Sequence, residues 1–263
     1  MSDAFEHVKR ARDKNRPTSL DYIEALFRDF FELHGDRYYG DDAAIVGGVA
    51  HLNKRPVTVI GIEKGHTIKE RNMRESGAPH PEGYRKAMRL MRQAEKFARP
   101  VICFVDTAGA YCGVGAEARG QGEAIATNLM GMMDLNVPVV TILHGEGGSG
   151  GALALAVSDE VWMLENAVYS VISPEGCASI LWKDAKKAPQ AAQSLRLTAQ
   201  DALEFGFAER IISENNLGTR AFYSELEYSL TKTLNRLCEV ENIKNKRYER
   251  FRHLGQTRTE VKA

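Results

Sequence analysis

The stretch that decides the fold is PVVTILHGEGGSGGALALAV, residues 138–157. It begins with an apolar run of strand length, continues as a loop with five glycines, and ends in small and aliphatic residues typical of a buried helix. The same order occurs earlier, with a strand over 100–105, the loop DTAGAYCGVG over 106–115 and a helix over 118–135. We therefore predict an α/β fold with two buried parallel strands, whose loops meet at the sheet edge where ligands bind.

The segments before these two units extend the same plan. Apolar runs at 45–52 and 56–62, joined by Asn53-Lys54-Arg55, predict a β-hairpin. The spacing of apolar residues predicts a helix from Thr18 or Ser19 to about Leu33 and another over 81–97, with a loop over 64–80 between them.

The segments after the second unit are shorter. Strands are predicted over 160–164 and 168–172, and helices over 174–181 and 198–205. Both charged ends of the chain are typical of solvated helices or loose arms. We therefore divide the chain into an N-terminal arm at 1–16, a single domain at 17–240 and a charged tail at 241–263.

Composition limits the class of protein. The 263 residues include 35 Lys and Arg against 35 Asp and Glu, so we expect no specific nucleic-acid partner. A signal-peptide core and an apolar run of about 20 residues are both missing from the sequence, which predicts a cytoplasmic protein without a membrane contact. The four cysteines form no CxxC pair, so we expect reduced thiols and no metal in this chain.

The glycine loop allows a dinucleotide-binding interpretation. Residues 145–150 match GxGxxG between a strand and a helix, and Glu165 follows about 20 residues later, as a ribose-binding acid would. Against this, a hairpin and a complete strand–loop–helix unit precede the loop. The strand that ends near Glu165 also runs into residues 167–172 rather than into another helix.

The same loop matches GxSxG, the nucleophile elbow of serine hydrolases, with Ser149 as the nucleophile. The only histidine after it is His253, which lies in the charged tail and is a poor general base. A third interpretation needs no side-chain chemistry, because glycines at a helix start leave backbone N–H groups free for an oxyanion. Close packing of strand and helix would also explain the glycines.

Several motifs lie along the chain, the glycine loop among them. They are Gly35-Asp36-Arg37, residues 41–48, Pro81-Glu82-Gly83-Tyr84-Arg85-Lys86-Ala87, Gly115-Ala116-Glu117, Arg119-Gly120-Gln121, residues 145–154 and residues 169–183. Together they resemble the carboxyltransferase α-subunit family of bacterial acetyl-CoA carboxylases, over roughly residues 17–250. The resemblance implies a crotonase-like (ClpP/crotonase) fold, a superhelix of repeated ββα units. It also implies transfer of carboxylate from carboxybiotin to acetyl-CoA, which forms malonyl-CoA for fatty-acid synthesis.

The resemblance also implies a set of site residues. Gly150 and Gly151 would form an oxyanion hole from backbone N–H groups, and no acid or base side chain would be required. The pocket for biotin and substrate would be formed by Gly109, Ala110, Tyr111, Gly113, Gly147, Gly148 and Ser149. Ala108 and Cys112 replace prolines common in the family, which predicts a looser first loop.

The implied partners are a β subunit in an α2β2 heterotetramer, a biotin carboxyl carrier protein and a biotin carboxylase, with zinc on the β subunit. Lys69, Arg71 and Arg74 lie in a basic segment that could attract CoA or an acidic partner. Glu117 and Glu146 flank the two loops. For each of them, both an ion-pairing role and a role in the pocket are left open. Three alternatives remain: a self-sufficient crotonase-like acyl-CoA enzyme, a dinucleotide-binding protein and a non-catalytic interaction subunit.

Overall fold

The computed structural model describes residues 4–254, which form one mixed β-sheet with helices around it. The strands within these residues pair in the order β1-β2-β3-β4-β5-β6-β8, and β7 pairs with the far end of β5. Their bounds are β1 Arg28–Glu32, β2 Ile45–Leu52, β3 Arg55–Ile62, β4 Val101–Thr107, β5 Val139–Gly148, β6 Glu160–Leu164, β7 Val168–Ser170 and β8 Arg210–Ile212.

The helices cover the sheet and carry the connections between parallel strands. Short 3-10 turns lie at Glu75–Gly77 and Ala185–Lys187. The α-helices are α1 Ala4–Ala11, α2 Ser19–Leu26, α3 Ile68–Met73, α4 Pro81–Lys96, α5 Val114–Ala118, α6 Gln121–Asp134, α7 Ser149–Leu153, α8 Pro174–Trp182, α9 Ala188–Leu195, α10 Ala199–Glu204, α11 Arg220–Cys238 and α12 Ile243–Arg252. No helix within residues 4–254 has the length and apolar character needed to cross a membrane.

The two strand–loop–helix units are confirmed. β4 and β5 run parallel, with Val101 opposite Val139, and every residue of β4 is buried. The antiparallel β2–β3 hairpin is also confirmed, and β3 continues into the parallel part of the sheet beside β4. Strands buried on both faces have to be apolar throughout, which explains their runs of valine and isoleucine.

The predicted helix from Thr18 to Leu33 is wrong in its second half. The helix ends at Leu26, Phe27 is extended, and residues 28–32 form the edge strand β1. β1 pairs with β2, where Gly48 lets the chain approach, because a Cβ at Gly48 would overlap the Phe31 carbonyl. Pairing with a free sheet edge thus prevails over local helical periodicity. The predicted loop at 64–80 also contains α3 and a 3-10 turn.

Both ends of the described chain pack against the domain, which differs from the solvated arms that we expected. In α1, Ala4, Val8 and Ala11 are buried in an apolar cluster with residues of β7 and α9. In α12, the buried Arg247 donates to the carbonyls of Met132, Leu135 and Val137 and pairs with Asp159. The domain boundaries at residues 16 and 240 stay a prediction, and residues 255–263 of the expected tail lie outside the described part.

Candidate active site

The two glycine-containing loops lie together at the carboxyl ends of β4 and β5. Thr107, the last residue of β4, is the register partner of Gly147 in β5. β5 is longer than the predicted strand that ended at Leu143, because residues 146–148 pair with β7. The second loop is therefore held as part of the sheet up to Gly148, and α7 begins directly at Ser149.

Close packing explains some of the glycines. A Cβ at Gly148 would overlap the Ala108 carbonyl, and a Cβ at Gly151 would lie 2.5 Å from the backbone nitrogen of Ala110. Such distances are too short for a side chain, so these two glycines let the two loops touch. Gly150 is different, since the nearest atom to its Cβ would be Ile125 Cγ2 at 3.6 Å, an ordinary contact. Close packing therefore does not explain why the residue at position 150 is a glycine.

The start of α7 presents backbone donors. Ser149 has a φ of 51°, in the left-handed region that non-glycine residues rarely adopt, where the chain turns from strand to helix. N–H groups in the first turn of a helix have no partner within the helix. The buried Tyr84 hydroxyl donates to the Gly151 carbonyl at 3.2 Å, and burial raises the Tyr84 pKa, so this donor stays protonated.

Hydrogen bonds hold the first loop despite the missing prolines. The Thr107 hydroxyl donates to the Gly109 carbonyl at 2.8 Å and accepts from the Gly109 N–H at 3.0 Å. Tyr111 stacks on His80 with ring centroids 4.1 Å apart, and its carbonyl accepts from Gln121 at 3.0 Å. These contacts hold Gly109 and Tyr111, and the looser loop predicted from Ala108 and Cys112 stays a prediction.

A charged network that the sequence did not reveal lies beneath the second loop. Lys64 pairs with Asp106 at 2.6 Å and with Glu146 at 3.4 Å, and the Glu146 N–H donates to Asp106 at 2.8 Å. Burial opposes charge on Asp106, yet Lys64 together with His144 and the Glu146 N–H outweighs burial, and the pKa of Asp106 is lowered. Burial likewise opposes charge on Lys64, whose pKa is nevertheless raised by Asp106 and Glu146. Asp106 and Lys64 are therefore an ion pair, and Glu146 is an ion-pairing partner of Lys64.

His144, the residue before the loop, is buried beside Tyr22 and Phe104. Its Nε2 lies 3.1 Å from the Ser19 hydroxyl, and its carbonyl accepts from Arg16 at 2.7 Å. Burial lowers the pKa of His144 to about 4, although Asp106 opposes this. The imidazole is therefore neutral at physiological pH and packs against the rings of Tyr22 and Phe104.

A stability measurement tests that protonation state. An unfolded histidine binds a proton below about pH 6.5, whereas folded His144 binds one only near pH 4, so acid favours the unfolded chain. Between pH 7 and pH 5 we expect His144 to lower the free energy of unfolding by on the order of 2 kcal/mol. Urea unfolding of wild type and His144→Gln at both pH values measures it. An equal pH-dependent loss in the two proteins would contradict this pKa assignment.

The other predicted residues lie around the site rather than in it. Arg71 donates to the Gly65 carbonyl, Arg74 donates to the Ala43 carbonyl, and Lys69 is exposed on α3. Glu117 is exposed on α5. Of the basic residues predicted for CoA or partner attraction, Lys69 thus has the free solvent-facing position that this role requires, while the other two are engaged with the backbone.

Cavities border the second loop on both sides. An apolar cavity of about 540 Å³ is lined by Ser149 and Gly150 together with side chains that include Tyr169, Phe205 and Phe207. A smaller cleft of about 70 Å³ is lined by Ala108 and by Gly147, Gly148 and Ser149. Of the residues predicted for the pocket, Gly147, Gly148 and Ser149 line these cavities, whereas Gly109, Ala110, Tyr111 and Gly113 line neither of the two. Gly150 lines the larger, apolar cavity.

Two features relevant to the site are the arrangement of potential metal ligands and the position of His253. Within residues 4–254, no group of three or more His, Cys, Asp and Glu side chains is placed to hold a metal ion. His253 lies at the end of α12, where its Nδ1 is 2.6 Å from the Glu249 carbonyl. His253, the only histidine that follows Ser149 in the sequence, therefore contacts its own helix rather than the serine.

The chain matches known sequences along nearly its whole length. Residues 2–255 match a family described as acetyl co-enzyme A carboxylase carboxyltransferase-like. The acetyl-coenzyme A carboxylase carboxyl transferase subunit alpha of Ruminiclostridium cellulolyticum is 56% identical over 96% of this chain and 98% of its own. The subunits beta/alpha protein of Natranaerobius thermophilus is 55% identical over 96% of this chain, which covers 43% of that longer protein.

Solved structures support the fold. A Pseudomonas malonate decarboxylase hetero-tetramer in complex with coenzyme A contains a chain that superposes with a TM-score of 0.70. The match covers 88% of this chain and 92% of that chain at 17% identity, so it bears on the fold alone. The crotonase-like α/β fold is confirmed. With more than half of the sequence identical to a curated α subunit, the chain belongs to the family of acetyl-CoA carboxylase carboxyltransferase α subunits.

Proposed function

We propose that this chain transfers carboxylate from carboxybiotin, borne by a separate carrier protein, to acetyl-CoA, and that α7 supplies one of the two oxyanion sites. The observation that carries the proposal is Gly150, which lies in the first turn of α7 beside an apolar cavity although no close contact requires a glycine there. A backbone N–H next to apolar walls stabilises a developing negative charge more strongly than the same group in water.

The proposed reaction requires hydrogen-bond donors rather than an acid or base side chain. Loss of CO2 from carboxybiotin would leave negative charge on the ureido oxygen, and this anion would take a proton from the methyl group of acetyl-CoA. That deprotonation would place negative charge on the thioester oxygen, so two oxyanions would form. The carbanion of acetyl-CoA would then bond to the CO2 and give malonyl-CoA. In this chain the N–H groups of Gly150 and Gly151 would bind one of them. Gly109 and Ala110 hold Gly151 in place from the first loop.

The partners follow from the same proposal. A β subunit would supply the second oxyanion site and the zinc, in an α2β2 assembly in the cytoplasm. A biotin carboxyl carrier protein and a biotin carboxylase would deliver the carboxylate. The relative in which β and α are parts of one chain supports the pairing of these two subunits.

Carboxyl transfer in the reverse direction tests the proposal. Co-expressed with the β subunit of its host, the complex should decarboxylate malonyl-CoA only when biotin or a biotin ester is present, since biotin accepts the carboxylate. The β subunit alone is the control. Consumption of malonyl-CoA without biotin would identify a self-sufficient acyl-CoA enzyme instead, and an inactive complex would contradict the proposal.

Ser149→Ala separates backbone catalysis from a serine nucleophile. The change keeps the backbone N–H groups of α7 and removes only the hydroxyl, so we expect at most a roughly tenfold loss of kcat. Loss of a catalytic serine in a hydrolase lowers kcat by about 10⁶. Mass spectrometry of the wild-type complex mixed with acetyl-CoA provides the second measurement. An acetyl group on Ser149, formed as fast as turnover, would exclude the proposed mechanism.

A further inference from the structure

Arg12, just after α1, connects two segments of the site. Its Nε donates to Glu146 at 2.7 Å, and its other two nitrogens donate to the Glu175 carboxylate at 2.7 and 3.3 Å. Glu146 lies in the second loop between two glycines, and Glu175 lies in the first turn of α8. The whole guanidinium is thus engaged, in a geometry that a lysine could not reproduce.

Pairing with β7 holds the backbone of residues 146–148, and the ion pairs of Glu146 add a side-chain restraint where the glycines on both sides restrict the backbone little. Glu146 is held on its other side by Lys64 at 3.4 Å, and its N–H by Asp106. Its side chain is only 13% exposed, so solvent screens these ion pairs less than it would at the surface. Arg12 and Lys64 therefore hold one carboxylate from two directions, three residues before the start of α7.

Docking of α1 does not depend on Arg12. Ala4, Val8 and Ala11 bury the helix in its apolar cluster, and Arg16 is separately paired with Glu214 at 2.7 Å. Removing the Arg12 charge would leave these contacts in place. Any effect of that removal on the loop is then separable from an effect on folding.

We propose that Arg12 is a positioning residue that holds the glycine loop, through Glu146, in the orientation that aims the α7 N–H groups. The inference rests on the proposed function, since it assigns to the N-terminal segment a part in the same site. A displacement of reacting groups by about 1 Å can lower a rate by roughly 10²-fold. Arg12 also lines the smaller cleft beside the loop, and its ion pairs with Glu146 and Glu175 oppose such a displacement.

The test compares Arg12→Gln, Arg12→Lys and the control Lys9→Gln in the complex with the β subunit. Lys9 is on the same helix and pairs with Glu6 at the surface, away from the loop. We expect Arg12→Gln to lower kcat for biotin-dependent decarboxylation roughly 10- to 100-fold, with KM for malonyl-CoA within about twofold and an unchanged melting temperature. Arg12→Lys should recover part of the loss, and Lys9→Gln should match wild type.

Hydrogen exchange of the full chain gives a readout independent of activity. Amides of residues 145–151 should exchange faster in Arg12→Gln than in wild type or Lys9→Gln, because the loop opens more often. Unchanged exchange would overturn the inference, as would a kcat within twofold of wild type in an active complex, or a kcat that falls only with the melting temperature. If the wild-type complex itself transfers no carboxyl group, the proposed function fails, and hydrogen exchange alone decides the role of Arg12.

Discussion

Gly150→Val should lower the carboxyl-transfer rate by roughly 10²- to 10³-fold while the chain stays folded, the size of effect seen when one oxyanion donor is lost. The Cβ of the new side chain would have room, with Ile125 Cγ2 at 3.6 Å as its nearest contact. The branched side chain would instead fill the space in front of the backbone N–H groups, beside the apolar cavity. Activity, melting temperature and complex size should be measured on the same preparation.

The matched control is Gly122→Val, at the second position of α6, where a Cβ would meet no atom within 4 Å. It makes the same change of helix propensity without a place at the site, so its activity should stay near wild type. Gly151→Val is the contrasting variant. Its Cβ would lie 2.5 Å from the Ala110 nitrogen, so stability and activity should fall together. Near-normal turnover of Gly150→Val in an intact complex would show that Gly150 is not part of an oxyanion site.

The purified chain without a partner should show no biotin-dependent turnover above background. Two oxyanions form in the reaction, and α7 would stabilise one of them, so the other would lack its donors until the β subunit binds. The absence of even one donor typically lowers the rate by about 10²- to 10³-fold. Malonyl-CoA decarboxylation should be followed as β subunit is titrated into a fixed amount of this chain.

Activity in that titration should rise with β subunit and reach a plateau at one β per α. The Gly150→Val chain provides the control, because it should bind the β subunit equally and remain slow. Full turnover by the chain alone, after traces of β subunit have been excluded by mass spectrometry, would overturn both the α2β2 proposal and the need for a second oxyanion site.

Local sequence was sufficient for the central strands and the two loops. The segments at 45–62, 100–105 and 138–143 are recognisable because buried strands need continuous β-branched and aliphatic residues. The loops are recognisable because glycines cluster where a strand turns sharply into a helix. These features depend on residues next to one another in the chain, so the carboxyl edge and its two loops were predictable.

Features that depend on distant partners were not predictable. Arg12 pairs with Glu146 across 134 positions, and Lys64 reaches the same carboxylate across 82 positions. The edge strand β1 has a helical pattern and becomes a strand only because β2 offers a free edge. The charged N-terminal segment has the composition of a solvated arm, yet it packs into the fold because Val168 and Ala192 provide an apolar surface for it.

The sequence alone determined the class of fold and the family, and it predicted the glycine loop as the centre of the chemistry, because the pattern for each lies in short contiguous motifs. It could not distinguish Gly150 from Gly151, since neighbouring glycines look alike in one dimension. Only the tertiary structure separates them, with the first loop against Gly151 and an apolar cavity against Gly150. The physical reason is that the space around a backbone atom depends on chain segments that are distant from it in the sequence.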